Sequence, residues 1–172
     1  PTLDAADEAG TRLEAEAAQQ YRSMAEAAQA DGITLTLVTG YQDADTRTAA
    51  YEAQKQTYLA RHKSEEEASA RAAAILPEAD ANEHGTGYAA DILSTDYTAQ
   101  DTGFADTRAY EWLTAYAAEY GFVLRWPEER QAATGMVYEP WHWRYVGVEN
   151  ALAIRASGLS LEEFLALERT KL

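Results

Sequence analysis

The sequence contains no cysteine and few basic side chains. Its 172 residues include 14 Lys and Arg against 29 Asp and Glu, which gives a formal net charge of −15. Without cysteine, a disulfide scaffold, a thiolate metal site and a cysteine nucleophile are all excluded. The strong negative charge argues against a protein that binds nucleic acid through its phosphates.

Long apolar runs are missing as well. The longest extends from Ile33 to Val38 and is interrupted by threonines, so it is far shorter than the roughly 20 residues of a membrane span. The chain begins with Pro1 rather than Met, which we interpret as a mature or trimmed form. On this interpretation, a removed signal peptide or anchor is possible, and its absence from the sequence does not indicate a cytosolic protein.

The hydrophobic pattern predicts one α+β domain in three parts. Residues 1–32 form a helical segment packed on the domain, residues 33–150 the core, and residues 151–172 C-terminal helices of the same domain. One long helix is predicted over 3–30, with its apolar face formed by Leu13, Ala17, Tyr21, Met24 and Ala28. Further helices are predicted over 46–62, 64–76, 107–120 and 149–156 and after Ser160, and strands over 33–39, 88–93, 121–125 and 138–146.

Two of the three histidines lie in segments that suggest chemistry. Asp91, seven residues after His84, is the only charged residue of a predicted strand. Because burial of an unpaired charge is costly, Asp91 needs a partner, and a cation is one candidate. His142 follows Glu139 by three residues and is flanked by two tryptophans. His62, between two basic residues, is predicted to be solvated.

Two histidines and one carboxylate form a ligand set that suits Zn²⁺ and leaves a fourth position open for water. A neighbouring glutamate such as Glu139 can then act as general base on that water. The alternative is that His84 and His142 are buried structural histidines that bond to backbone carbonyls. The spacing alone leaves both hypotheses open.

The two segments also resemble a known family. Glu83-His84-x-x-Gly87-x-Ala89-x-Asp91 and Glu139-Pro-Trp-His142-x-x-Tyr145 are similar to the paired motifs of the VanY-like zinc D-alanyl-D-alanine carboxypeptidases, whose relatives include L,D-carboxypeptidases. The segments between the two motifs also resemble those of the family, and so do residues before the first motif, as far back as Val38. The resemblance therefore covers about residues 33–150.

This resemblance implies the hedgehog/D,D-peptidase-like α+β fold, with a small, mainly antiparallel sheet and flanking helices. It implies one Zn²⁺ per chain, bound by His84, Asp91 and His142. Glu139 would activate the zinc-bound water for attack on the carbonyl before a C-terminal D-alanine. The substrate would be a peptidoglycan stem peptide, and we expect an extracytoplasmic location, secreted or anchored and facing the cell wall.

The sequence departs from the family pattern at three positions. Gln42 stands where the family has arginine, and Arg47 where many members have glutamine. If the two have exchanged roles, Arg47 supplies a positive charge to a substrate carboxylate or oxyanion. The alternative is that Arg47 is an exposed residue in the first turn of the following helix. Asn82 replaces the family serine. We predict substrate binding by Gln42, Arg47, Asn82 and Trp141.

These departures leave the substrate preference open. The candidates are D-Ala-D-Ala carboxypeptidase, L,D-carboxypeptidase, peptidoglycan endopeptidase and D-Ala-D-Ala dipeptidase. A hypothesis of another class is a non-catalytic domain that binds the cell wall or a partner.

Overall fold

The fold begins with a short hairpin, where the sequence predicted the start of a long helix. The structure, a computed structural model, describes residues 1–75 and 82–170. Strands β1 (Leu3–Ala5) and β2 (Arg12–Glu14) pair antiparallel, and helix α1 (Ala15–Ala30) follows. Gly10, at φ +82°, allows the chain to turn between the two strands. The predicted helix over 3–30 is therefore wrong up to Glu14, whose side chain caps α1.

The predicted apolar face is nevertheless buried. Leu13 is buried from β2, and Ala17, Tyr21, Met24 and Ala28 are buried from α1. All five belong to one hydrophobic cluster that also contains Ile92, Leu93, Phe104, Leu113 and Phe122. Burial of this cluster holds the N-terminal segment against the sheet.

A four-stranded antiparallel sheet organises the molecule. Its order is β3 (Leu35–Thr39), β4 (Ala89–Ser94), β6 (His142–Tyr145) and β5 (Phe122–Leu124). Every residue of β4 is buried, because the strand lies between β3 and β6. The antiparallel register places Asp91 opposite His142. Two residues 51 positions apart in sequence thus become neighbours through strand pairing.

The described part of the chain contains six further helices. They are α2 (Ala44–Leu59), α3 (Glu65–Ala73), α4 (Arg108–Tyr116), the short α5 (Gln131–Thr134), α6 (Val148–Ser157) and α7 (Leu161–Arg169). Thr107 caps α4. The predicted end of the third helix at residue 76 lies outside the described residues. None of the described helices is long and apolar enough to cross a membrane.

The last two helices close a second, smaller cluster against β5. Val123, Ala151 and Ile154 are buried there, and Leu161 and Phe164 pack on them. The start of α7 has a capping box, in which Ser160 accepts from the backbone of Glu163 and the Glu163 carboxylate accepts from the backbone of Ser160. The boundaries at residues 32 and 150 stay a prediction.

Candidate metal centre

A tight turn before β4 positions His84. Residues Glu83–Thr86 form a 3₁₀ turn that begins at Asn82, whose side-chain oxygen accepts from the His84 backbone N–H at 3.0 Å. Gly87, at φ +78°, ends the turn and directs the chain into β4. The Nδ1 atom of His84 is 2.8 Å from the carbonyl oxygen of Gly40. Because a carbonyl can only accept, Nδ1 carries a proton, and in the neutral imidazole Nε2 then offers its lone pair.

Three potential ligand atoms converge beside this turn. His142 Nδ1 is 2.7 Å from Asp91 Oδ1, and His84 Nε2 is 3.4 Å from the same oxygen. Ligand atoms of the three residues lie within 4.8 Å of one another, and all three side chains are buried. Two imidazole nitrogens and one carboxylate oxygen match the donor set that binds a divalent metal such as zinc. The residues present therefore fit a mononuclear metal centre.

Two neighbours that the sequence analysis missed orient these ligands. Gln100 Nε2 donates to Asp91 Oδ2 at 3.0 Å, which leaves Oδ1 directed at the two histidines. The ring of Trp126 stacks on the imidazole of His142, with the centroids 4.1 Å apart and the planes 6° from parallel. Gln100 lies in a polar loop that has no recognisable motif, so no sequence signal indicated it.

Charged side chains surround the other edge of His142. The Glu83 carboxylate is bonded to Arg125 Nε at 2.7 Å through Oε1, and its Oε2 is 3.7 Å from both Arg144 Nη1 and His142 Nε2. Burial alone would raise the pKa of Glu83. The His142 contact and the two guanidinium charges outweigh burial and lower the pKa to about 2. Glu83 is therefore a carboxylate at neutral pH.

The buried contact between Asp91 and His142 shifts the pKa of both groups. Burial alone would lower the pKa of His142, but the hydrogen bond to Asp91 and the nearby carboxylate of Glu83, 3.7 Å from Nε2, raise it to about 9. The pKa of Asp91 moves the other way: burial raises it, and the bonds from His142 and His84 lower it well below its usual range. Both shifts describe the site before metal binds.

Glu139 has the environment of a proton acceptor. Its side chain is 5% exposed and lines the same cavity as the three ligands. Burial raises the pKa of Glu139, the charge of His142 opposes the rise, and the charge of Asp91 adds to it, so that the pKa is about 7. The His142 backbone N–H donates to the Glu139 carbonyl at 3.1 Å, in the turn that leads into β6. A carboxyl group with a pKa near neutrality is suited to taking up and releasing a proton.

The site lies in a cavity of about 220 Å³. A larger cavity of about 600 Å³ lies between β6 and helices α6 and α7, but no histidine is among the described residues that line it. Convergent titratable groups, not volume, therefore identify the smaller cavity as the candidate site. Besides Glu139 and the three ligands, its walls include Asn82, Glu83, Gln100, Trp126 and Trp141.

The four predicted substrate-binding residues divide into two pairs. Asn82 and Trp141 line the cavity, whereas Gln42 and Arg47 are not among the described residues that form its wall. Arg47 is 6% exposed, and its Nη1 donates to the Asn82 carbonyl at 2.7 Å. The alternative of an exposed first-turn side chain is therefore wrong for Arg47. The Gln42 backbone N–H bonds to the His84 carbonyl at 3.3 Å, so both residues contact the turn that carries His84. His62 is exposed, as expected.

The antiparallel sheet and its His–Asp–His cluster define an α+β protein with a mononuclear metal centre. More narrowly, the chain belongs to the VanY family, since the family model described as D-alanyl-D-alanine carboxypeptidase matches residues 10–148. This confirms the resemblance inferred from the paired motifs. The match also begins earlier than the coverage of 33–150 that the motifs indicated, and it takes in β2 and α1.

Individual relatives agree with this assignment. A D-alanyl-D-alanine carboxypeptidase of Enterococcus faecalis is 31% identical over 160 residues, which is 93% of this chain and 58% of that protein. The chain spans about half the length of the curated relatives that it matches.

Solved structures confirm the predicted fold. The vancomycin resistance D,D-pentapeptidase VanY, solved as a glutamate-to-alanine variant with Zn(II), superposes with a TM-score of 0.83 and 29% identity, over 95% of this chain and 88% of that one. The LD-carboxypeptidase LdcB superposes with a TM-score of 0.80 and 29% identity, over 90% of this chain and 69% of that one.

Proposed function

We propose that this chain is a zinc-dependent carboxypeptidase that removes a C-terminal D-alanine from peptidoglycan stem peptides. The observation that carries the proposal is the buried cluster of His84, Asp91 and His142 with Glu139 in the same cavity. Membership of the VanY family supports the reaction, and the Zn(II) bound to a VanY relative supports the metal.

The chain supplies the proton chemistry. His84, Asp91 and His142 would hold zinc, which when bound supplies a Lewis acid that polarises the scissile carbonyl and stabilises the developing negative charge. Glu139 accepts a proton from the attacking water, because its pKa of about 7 leaves a substantial ionised fraction at neutral pH. Once protonated, Glu139 can donate to the leaving amine. Trp126 and Trp141 limit the access of other water to the cavity.

The cavity suits the end of a peptide. Its volume of about 220 Å³ lies below the roughly 300–1,000 Å³ of typical ligand pockets, which favours a small C-terminal residue over a longer segment. We propose that Asn82 and Trp141 contact this residue. Binding by Gln42 and Arg47 stays a prediction, and Arg47 would act from behind the turn that carries His84.

A specific observation keeps L,D-carboxypeptidase as the second candidate. The LD-carboxypeptidase LdcB superposes nearly as well as the VanY structure. This chain has Asn82 at the rim of the cavity and Gln42 and Arg47 around the same turn, which are the positions that depart from the usual VanY pattern. The preference between a D-Ala-D-Ala end and a single D-Ala end therefore depends on these residues and not on the metal ligands.

Place of action follows from the proposed substrate. Stem peptides belong to a polymer outside the cytoplasmic membrane, so we infer an extracytoplasmic location, either secreted or anchored. An enzyme that acts on this polymer needs export, and a fractionation of producing cells with antibody against this chain would detect it. Recovery in the cytosolic fraction alone would contradict the inference.

The decisive experiment compares Glu139→Gln with the native protein after zinc loading. Each protein is incubated with stem peptides that end in D-Ala-D-Ala and in a single D-Ala, and the products are identified by mass spectrometry. We expect the variant to retain zinc and to release product at least ~100-fold more slowly, because proton transfer contributes about 10²–10⁴-fold. Glu111→Gln, an exposed site on α4, is the matched control and should behave as native.

The pattern of products separates the candidates. Loss of one D-Ala from peptides that end in D-Ala-D-Ala indicates a D,D-carboxypeptidase. Loss of D-Ala from peptides that end in a single D-Ala indicates an L,D-carboxypeptidase. Cleavage of crosslinked peptides alone would instead indicate an endopeptidase. About one zinc per chain with no hydrolysis of any stem peptide would contradict the proposal and favour a non-catalytic domain that binds the cell wall.

A further inference from the structure

Two buried polar atoms face each other behind the candidate metal centre. His142 Nε2 and Glu83 Oε2 are 3.7 Å apart. Each is buried and has no hydrogen-bond partner among the described residues. Nε2 lies on the edge of the imidazole opposite Nδ1, which faces Asp91 at 2.7 Å. Since buried polar groups in proteins are normally hydrogen-bonded, this pair needs an explanation.

The position of the Glu83 carboxylate is fixed from several directions. Its Oε1 accepts from Arg125 Nε at 2.7 Å, and Arg144 Nη1 approaches Oε2 at 3.7 Å. Arg125 is held in turn by Glu162 at the start of α7, through a second contact of 2.6 Å from Nη2. The carboxylate is therefore held by two guanidinium groups, one of which is itself held from α7, and its second oxygen lies 3.7 Å from His142 Nε2.

The imidazole of His142 is held in its plane at the same time. Trp126 stacks against one face, with the ring planes 6° from parallel, which restricts tilting of the ring. Each nitrogen of His142 lies near one carboxylate, Nδ1 at 2.7 Å from Asp91 and Nε2 at 3.7 Å from Glu83. If Nδ1 is to offer a lone pair to a metal, the remaining proton of the neutral ring must be on Nε2, where Glu83 can accept it.

We propose that Glu83 is a positioning residue that holds the Nε2–H of His142 and thereby presents Nδ1 to the metal. A carboxylate that accepts from the distal N–H of a metal-bound histidine sets its tautomer and orientation. In this role Glu83 is not one of the three metal ligands, and it acts through His142. The proposal rests on the metal centre of the proposed function.

The native protein provides the first test. The chain, labelled with ¹⁵N at histidine and loaded with ¹¹³Cd²⁺ in place of zinc, should show metal coupling to Nδ1 of His142 and to Nε2 of His84, with a proton on Nε2 of His142. Coupling to Nε2 of His142 would overturn the proposal, whatever the effect of any substitution.

Substitutions at Glu83 provide the second test, with zinc affinity measured by competition against a chromophoric chelator. We expect Glu83→Ala to raise the dissociation constant for zinc about 10–100-fold, the usual cost of losing such a partner. Glu83→Gln should be less affected, because an amide carbonyl can still accept from Nε2–H. Glu67→Ala is the control. Glu67 lies on α3, away from the metal ligands, and forms ion pairs with Lys63 and Arg71.

The outcomes separate this proposal from the proposed function. Native zinc affinity in both Glu83 variants would overturn the positioning role and leave the carboxypeptidase intact. Failure of the native protein to bind zinc or cadmium would overturn both. If Glu83→Ala does not fold, Glu83→Gln and the coupling pattern of the native protein still decide.

Discussion

His142 Nδ1 lies 2.7 Å from Asp91 Oδ1, on strands whose pairing sets the two residues side by side. A carboxylate can only accept, so Nδ1 carries a proton in the metal-free site. The pKa of His142, raised to about 9 by Asp91 and Glu83 against the effect of burial, keeps that proton in place at neutral pH. A metal that binds Nδ1 must displace it.

Zinc binding should therefore be strongly pH-dependent. Because one proton leaves as the metal enters, we expect zinc affinity to rise about tenfold per pH unit up to roughly pH 9 and then to level off. Chelator competition between about pH 6.5 and 9 measures the slope. Calorimetry in buffers of different ionisation enthalpy counts the released protons, and a flat profile without proton release would contradict this prediction.

The stability of the metal-free protein should fall as pH rises, in contrast to the zinc affinity. The folded pKa of His142, about 9, lies above its ordinary value of 6.5, so its contribution to stability is complete below pH 6.5. That contribution should diminish as pH rises to about 9. Denaturant unfolding of the metal-free protein, with Asp91→Asn as comparison, would detect the decline. An equal decline in Asp91→Asn would show that the proton on His142 is not its source.

Catalysis should have an acid limb that depends on Glu139. The group acts as a base only when ionised, and burial raises its pKa to about 7 in the metal-free site. A bound cation would lower that value, so kcat/KM should fall as pH decreases through a value at or below about 7. The profile is measured at saturating zinc, with metal content checked at each pH. Full activity to about pH 5 with zinc retained would contradict this role.

The sequence was sufficient to select the residues that meet in the cavity, because their motif spacing is short and local. His84 and Asp91 are joined by one turn and one strand, and Glu139 and His142 by another turn. The hydrophobic pattern also predicted the strands that bring the two halves together. In this region, local pattern and tertiary structure agree.

What the sequence could not predict depends on contacts between distant segments. The bond from Gln100 to Asp91, the stacking of Trp126 on His142 and the contact of Arg125 with Glu83 each link separate loops or strands. The initial hairpin was missed for a related reason, since pairing between β1 and β2 prevailed over the helix propensity of the alanine-rich segment. The burial of Arg47 likewise depends on the turn above it.

Gln100 should contribute to metal affinity through Asp91. Its amide donates to Asp91 Oδ2 at 3.0 Å, and a hydrogen bond to a charged group contributes about 1.5–3 kcal/mol. We expect Gln100→Ala to weaken zinc binding by roughly tenfold or more, and Gln100→Glu to weaken it further, because a second carboxylate would face Asp91. Gln19→Ala, at an exposed position on α1, is the control. Equal affinities in Gln100→Ala and Gln19→Ala would refute the role of this bond.

Gly85 leaves room for the guanidinium of Arg47 beneath the turn that carries His84. A Cβ atom at Gly85 would collide with Nη1 of Arg47, which donates to the Asn82 carbonyl at 2.7 Å. We expect Gly85→Ala to lower the free energy of unfolding by about 1–3 kcal/mol, a typical cost of overpacking.

A double-mutant cycle tests whether Arg47 is the cause of that cost. In the Arg47→Ala background, the penalty for Gly85→Ala should fall below about 1 kcal/mol, since neighbouring substitutions that share one contact are not additive. Urea unfolding of the four proteins gives the interaction energy. Strict additivity would mean that the backbone of the turn, and not Arg47, excludes a side chain at position 85.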